Sequence, residues 1–124
     1  MIIYVTHSRN TNFKDELYDP LRNSRINNNH TIILPHELSD EPYKSRDLLL
    51  KNNCNLVLPE ISQAATGQGI ELGWADASAI PIICLYKQGS KLSGSLKVVS
   101  KVFIEYTDPA DMISKIDEAL QKYE

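Results

Sequence analysis

Short β-branched and aromatic runs alternate with amphipathic stretches along the whole chain, and that alternation admits few folds. Ile2 to Thr6 is a strand pattern, as are Thr31 to Leu34, Asn55 to Leu58, Pro81 to Tyr86 and Val102 to Tyr106. Between them the apolar residues recur at helical spacing. Phe13, Leu17 and Leu21 share one face of a helix that begins near Asn12 and that Pro20 kinks or ends. Tyr43 to Asn53 is expected to be helical with Leu48, Leu49 and Leu50 inward, and a third helix is expected from about Gly69 to Ser78. Asp108-Pro109 opens the last helix as N-cap and first helical residue, and Met112, Ile113, Ile116 and Leu120 form its apolar face. Strands that alternate with helices predict a parallel sheet covered on both faces. The expectation is an α/β three-layer sandwich, flavodoxin-like (Rossmann-like), with five parallel strands in the order 2-1-3-4-5.

The 124 residues fit a single domain, 1–124. The mix is ordinary for a globular protein, with 42% hydrophobic and 23% charged residues, so a core can form without disulfides. Cys54 and Cys84 lie in apolar runs and read as reduced core residues, which suits a cytoplasmic setting. Net charge is −3 with scattered cations, which speaks against a nucleic-acid-binding face. The start, MIIYVTHSRN, turns polar too early for a signal peptide, and no apolar run reaches the roughly 18 residues of a membrane span. His7, His30 and His36 have no metal-ligand spacing with the cysteines, so no metal is expected, and no cofactor.

In such a fold, ligands bind beyond the carboxyl ends of the strands, where strand order reverses. Helix N-termini point to the same edge. The candidate segments are therefore Thr6 to Asn12, Pro59 to Glu71 and Tyr86 to Ser95, with the start of the helix containing Asp47. Two acids stand out there, Asp47 and Glu71, each in the first turns of a helix. Ionised carboxylates suit that end of a helix dipole. One carboxylate acting as nucleophile or stabiliser, with a second carboxyl group as general acid, is the logic of glycosidic cleavage. Acidic residues also gather in first turns for the dipole alone, and the Gly67-Gln68-Gly69 spacing lacks the third glycine of a dinucleotide fingerprint.

The stretch Leu56-Val-Leu-Pro-Glu-Ile-Ser-Gln-Ala-Ala-Thr-Gly-Gln-Gly-Ile-Glu-Leu-Gly-Trp-Ala75 resembles the nucleoside 2-deoxyribosyltransferase family, including its 2'-deoxynucleoside 5'-phosphate N-hydrolase branch. Gly67, Gly69, Glu71, Leu72, Gly73 and Ala75 fit the family's G-x-G-x-E-L-G-x-A pattern. The resemblance places the nucleophilic glutamate on Glu71, the helper aspartate on Asp47 and the tyrosine beside the nucleophile on Tyr4. It places 5'-phosphate contacts on Ser8 and Arg9, and on Ser93 a serine that reaches the neighbouring subunit's site, which implies a homodimer. His7 stands where the branch has glycine, and Ala65 replaces a phosphate-binding serine. Within this scheme His7, Glu60, Gly67 and Gly69 are further candidates to line the substrate site. The implied reaction is attack by Glu71 on C1' of a deoxyribosyl group, with release to water or to a second base.

Two other functions fit the same scaffold. One is a nucleotide-binding or signalling module without catalysis. The other is a carrier of flavin mononucleotide, suggested by Thr6 to Thr11, although that loop has no glycine for close backbone approach to a phosphate. A receiver domain is disfavoured because no acidic pair follows the first strand.

Overall fold

The computed structural model describes residues Met1–Glu124. Five parallel strands, β1 (Ile2–His7), β2 (Thr31–Ile33), β3 (Leu56–Glu60), β4 (Ile83–Lys87) and β5 (Val102–Tyr106), form one sheet in the order β2-β1-β3-β4-β5. The expected architecture and strand order are both present. Tyr4 pairs with Ile33 on one side and with Val57 on the other.

Because side chains alternate along a strand, each face of the sheet builds its own core. Ile3, Val5, Leu58 and Leu85 pack under α1 (Asp19–Arg22), α2 (Arg25–Asn29) and α6 (Pro109–Leu120). Tyr4, Val57 and Cys84 pack under α3 (Arg46–Leu50) and α4 (Thr66–Ala77), with α5 (Leu96–Val99) at the edge of that layer. Both cysteines are buried and unpaired, and burial raises both thiols above their usual range, Cys84 to about 11. No helix is long and apolar enough to cross a membrane.

Four local expectations are revised. Pro20 does not end its helix. The chain ahead of it widens into a π-helical turn, Lys14–Tyr18, with the Asp19 N–H reaching back to the Lys14 carbonyl, and Pro20 lies in the first positions of α1, where its missing donor costs nothing. The wide turn leaves both Leu17 and Tyr18 buried. Secondly, α3 covers only Arg46–Leu50 of the expected 43–53. Asn52 takes a left-handed φ of 55°, and the N–H groups of Asn53 and Asn52 bond back to Leu48 and Leu49, a Schellman closure. Leu49 is buried but Leu50 is 39% exposed, as 100° per residue requires.

Thirdly, Pro59 does not end β3. The N–H groups of Val57 and Ile61 donate to Pro81 and Leu85, so the intervening Pro59 is where a donor toward β4 is missing. Pairing to β4 accordingly skips from Val57↔Ile82 to Glu60↔Leu85 while the pairing to β1 continues. Fourthly, α4 begins at Thr66 rather than near Gly69, which moves Glu71 from the first turn to the second. The last helix is as expected: the Asp108 carboxylate accepts from the Asp111 N–H at 2.8 Å, with Pro109 opening α6.

Candidate active site

A cavity of about 600 Å³ opens at the carboxyl ends of β1 and β3, where strand order reverses. Its floor is Tyr4, Thr6, His7 and Ser8. The segment after β2 supplies Pro35, His36, Pro42 and Tyr43 to one wall, and Ala64 to Gln68 with Glu71 and Trp74 supply the facing wall.

Glu71 is the carboxylate in this cavity. One turn and a half into α4, it is half-buried and leans over β1. Its Oε1 accepts from the Thr6 hydroxyl at 2.7 Å, and its Oε2 accepts from the Tyr4 hydroxyl. Tyr4 and Thr6 are two apart on one strand, so they share the face that α4 covers. Tyr4 is 1% exposed, and burial, reinforced by the negative charge of Glu71, pushes its hydroxyl far above the ordinary range. It therefore remains a donor to Glu71 at any working pH. The Tyr43 ring stacks against it with centroids 5.7 Å apart. Thr6 was not singled out from the sequence. The period of two counted from Tyr4 is the signal that points to it.

Gln68 was missed as well. It is buried in the first turn of α4, and its amide donates to the carbonyls of Thr6 (3.2 Å) and Glu60 (2.8 Å). That clamp fixes the helix over the ends of the two central strands. At the same end of α4 the cap residue, Ala65, has no side chain able to accept, so the helix starts without a side-chain cap where Ala64 to Gln68 line the cavity. Ser8 is buried at the floor and its Oγ accepts from the Asn10 N–H. Arg9 is at the rim, 3.7 Å from Asp40.

His7 lines the cavity, yet both ring nitrogens are engaged. Nδ1 lies 2.9 Å from the Ser8 carbonyl, which can only accept, so Nδ1 carries the hydrogen. Nε2 then accepts from the Tyr18 hydroxyl at 2.6 Å, and Tyr18 in turn accepts from the His36 backbone N–H at 3.0 Å. Burial lowers the affinity of His7 for a second proton and pushes the Tyr18 hydroxyl up to about 12. Phe13 stacks on the His7 ring at 4.3 Å.

Four expected site residues lie elsewhere. Asp47 does not line the cavity. Its side chain is 76% exposed and faces Lys51 of its own helix at 3.7 Å, because the short α3 turns its Leu49 face inward and leaves Asp47 outside. Glu60 is on the opposite face of the sheet, an odd number of residues from Val57, where it accepts from the hydroxyl of Tyr106 and from the N–H (2.6 Å) and hydroxyl (2.9 Å) of Ser62. Gly69 is outside the lining, one position further round α4 than Gln68. A Cβ at Gly67 or Gly69 would meet nothing within 4 Å, so packing within the chain does not require either glycine. Ser93 is exposed in the segment between β4 and α5, outside this cavity.

No family model matches the chain. A protein of Trichoplax adhaerens, provisionally named 2'-deoxynucleoside 5'-phosphate N-hydrolase 1, is 31% identical over 86 residues, which are 65% of this chain. The match spans 60% of that relative's length. The fold matches the structure of the CMP N-glycosidase BcmB of Clostridium botulinum with a TM-score of 0.67, covering 94% of this chain and 99% of the other at 20% identity. The chain is thus similar in sequence to the N-hydrolase branch that its Leu56 to Ala75 motif resembles, and it shares the fold of an N-glycosidase.

Proposed function

We propose that this chain is an enzyme that cleaves the N-glycosidic bond of a nucleoside or nucleoside 5'-monophosphate, with Glu71 as nucleophile. The observation that carries the reading is the grip on Glu71: two hydroxyls of β1 hold its two oxygens at the wall of a cavity large enough for a nucleotide. A carboxylate so fixed has lost the rotamer freedom that would otherwise oppose attack. A Glu71 oxygen bonds to C1' as the C1'–N bond breaks, and the bonding pair leaves with the base, which gains a proton. Water then attacks C1' and frees the sugar and the carboxylate, or a second base captures the sugar.

Ser8, Arg9 and the uncapped start of α4 at Gly67 are suited to a 5'-phosphate, since helix N-terminal N–H groups favour anions. Trp74 and Tyr43 offer apolar surface to the base. Ser93 would serve the neighbouring site in a homodimer. The test is a panel of deoxynucleosides and ribonucleosides and their monophosphates, with and without a free acceptor base. Free base alone identifies a hydrolase, and a new nucleoside identifies a transferase. The placement of Asp47 outside the cavity favours one other reading, a nucleotide-binding module, and absence of turnover with every member of the panel would select it.

A further inference from the structure

The proposed reaction needs a proton for the departing base, and the expected donor, Asp47, faces solvent. We infer that His36, on the loop behind β2, protonates the leaving base. The inference rests on the function proposed above and adds the acid that function lacks.

The groups facing this part of the cavity leave few candidates. Tyr4 is held as a donor to Glu71, and Arg9 cannot give up its proton at working pH. His7 has both nitrogens engaged, by the Ser8 carbonyl and the Tyr18 hydroxyl. Glu37 and Asp40, on the loop of His36 itself, are paired with Arg22 and Arg9. His36 remains. It is half-buried, lines the cavity, and packs edge-on to His7 with ring centroids 5.7 Å apart. Its backbone is anchored by the N–H bond to Tyr18, and its Nδ1 is 3.3 Å from the Ser39 carbonyl. A carbonyl only accepts, so Nδ1 keeps its hydrogen and Nε2 is the nitrogen left to face a substrate.

The topology sets the two reacting groups apart. Glu71 comes from the wall beyond β3 and His36 from the wall beyond β2, with the end of β1 between them. A displacement at C1' needs the nucleophile and the leaving base on opposite faces of the sugar. As Glu71 bonds to C1', the proton on Nε2 passes to the base that takes the C1'–N electron pair, leaving neutral His36 with hydrogen on Nδ1. In the second step Nε2 takes a proton from the attacking water, which restores both groups.

A 2'-deoxyguanosine substrate and its N7-methyl derivative test this, as free nucleoside or monophosphate according to the panel. The methylated base already carries positive charge and leaves without being protonated. His36→Gln is expected to lower kcat on the ordinary substrate about a hundredfold and to leave the methylated one within about threefold. Asp47→Asn is expected to leave both within about threefold. In the unaltered protein, the ordinary substrate should show an alkaline decline in kcat that the methylated one lacks, a reading that needs no variant to fold. Equal declines there, or a selective loss on the ordinary substrate with Asp47→Asn, would overturn the role of His36 alone. Failure of the unaltered protein to cleave either substrate would overturn the glycosidase reading as well.

Discussion

Glu71 and Glu60 lie on opposite faces of the sheet and are held by nearly the same set of groups. Each takes a hydrogen bond from a buried tyrosine, Tyr4 or Tyr106, and from a neighbouring hydroxyl, Thr6 or Ser62. Both tyrosine hydroxyls are raised by burial and by the carboxylate they serve. What differs is what lies beyond the carboxylate. Glu60 also accepts from the Ser62 N–H, the Ser62 hydroxyl accepts from the Lys87 N–H, and none of these residues lines the cavity at Glu71. Glu71 faces about 600 Å³ of open space. One arrangement joins the ends of β3, β4 and β5. The other holds a carboxylate at the edge of a void. Hydrogen bonding to a buried tyrosine therefore does not by itself tell a candidate catalytic acid from a structural one; the space in front of the carboxylate separates the two here.

The largest expected effect tests that division directly. Glu71→Gln should lower cleavage about a thousandfold or more while the unfolding midpoint holds. If activity stays within about tenfold of the parent, Glu71 is not the nucleophile. Glu60→Gln should do the reverse. It removes a charged acceptor from the buried Tyr106 hydroxyl and from two partly buried donors of Ser62 and should cost about 2 kcal/mol in urea unfolding, with a much smaller change in kcat. A loss of activity on the scale of Glu71→Gln in a stable Glu60→Gln protein would mean that the two acids were assigned to the wrong sides.

A smaller effect is expected from Thr6→Val. Loss of one hydrogen bond to a carboxylate should lower kcat about tenfold with KM little changed, because Thr6 orients Glu71 and need not touch substrate. A change in KM alone would make Thr6 a binding residue.

The smallest effect concerns His7, which extends from Glu60's face yet reaches the cavity floor. Its proton affinity is lowered on folding, so below about 6.5 the unfolded chain binds more protons than the folded one. Its contribution to stability is present above that value and lost as pH falls. Tyr18 has the opposite sign: raised to about 12, its contribution is present below about 10 and lost as pH rises through that interval. Urea unfolding of the parent and of His7→Asn across the acid range should show a shallower decline in the variant. An unchanged slope would mean that His7 is not held neutral by its surroundings.

Much of this was legible in the sequence because it is set by local periodicity. Alternating strand and helix patterns pointed to a parallel sheet, whose expected order was one of the few that right-handed crossovers leave, Asp108-Pro109 determined where the last helix starts, and the Leu56 to Ala75 motif with its family resemblance pointed to Glu71. Tyr4 was found through that resemblance, whereas Thr6 was overlooked, although it stands two residues further along the same face of β1, because nothing in its residue type drew notice.

What only the tertiary structure decided was which acids share a space. Asp47 and Glu71 look alike as acids near helix starts, and Glu60 looks like a strand-end acid aimed at the cleft. Their directions depend on where α3 and α4 begin, on the face each residue takes after a period of two or of 3.6, and on burial demands elsewhere, such as that of Leu49. A shift of one position in any of these turns a side chain to the other side. Helix starts carry weak local signals, so the sequence named the elements while packing chose Glu71, Thr6 and His36 for the cavity and left Asp47 outside it.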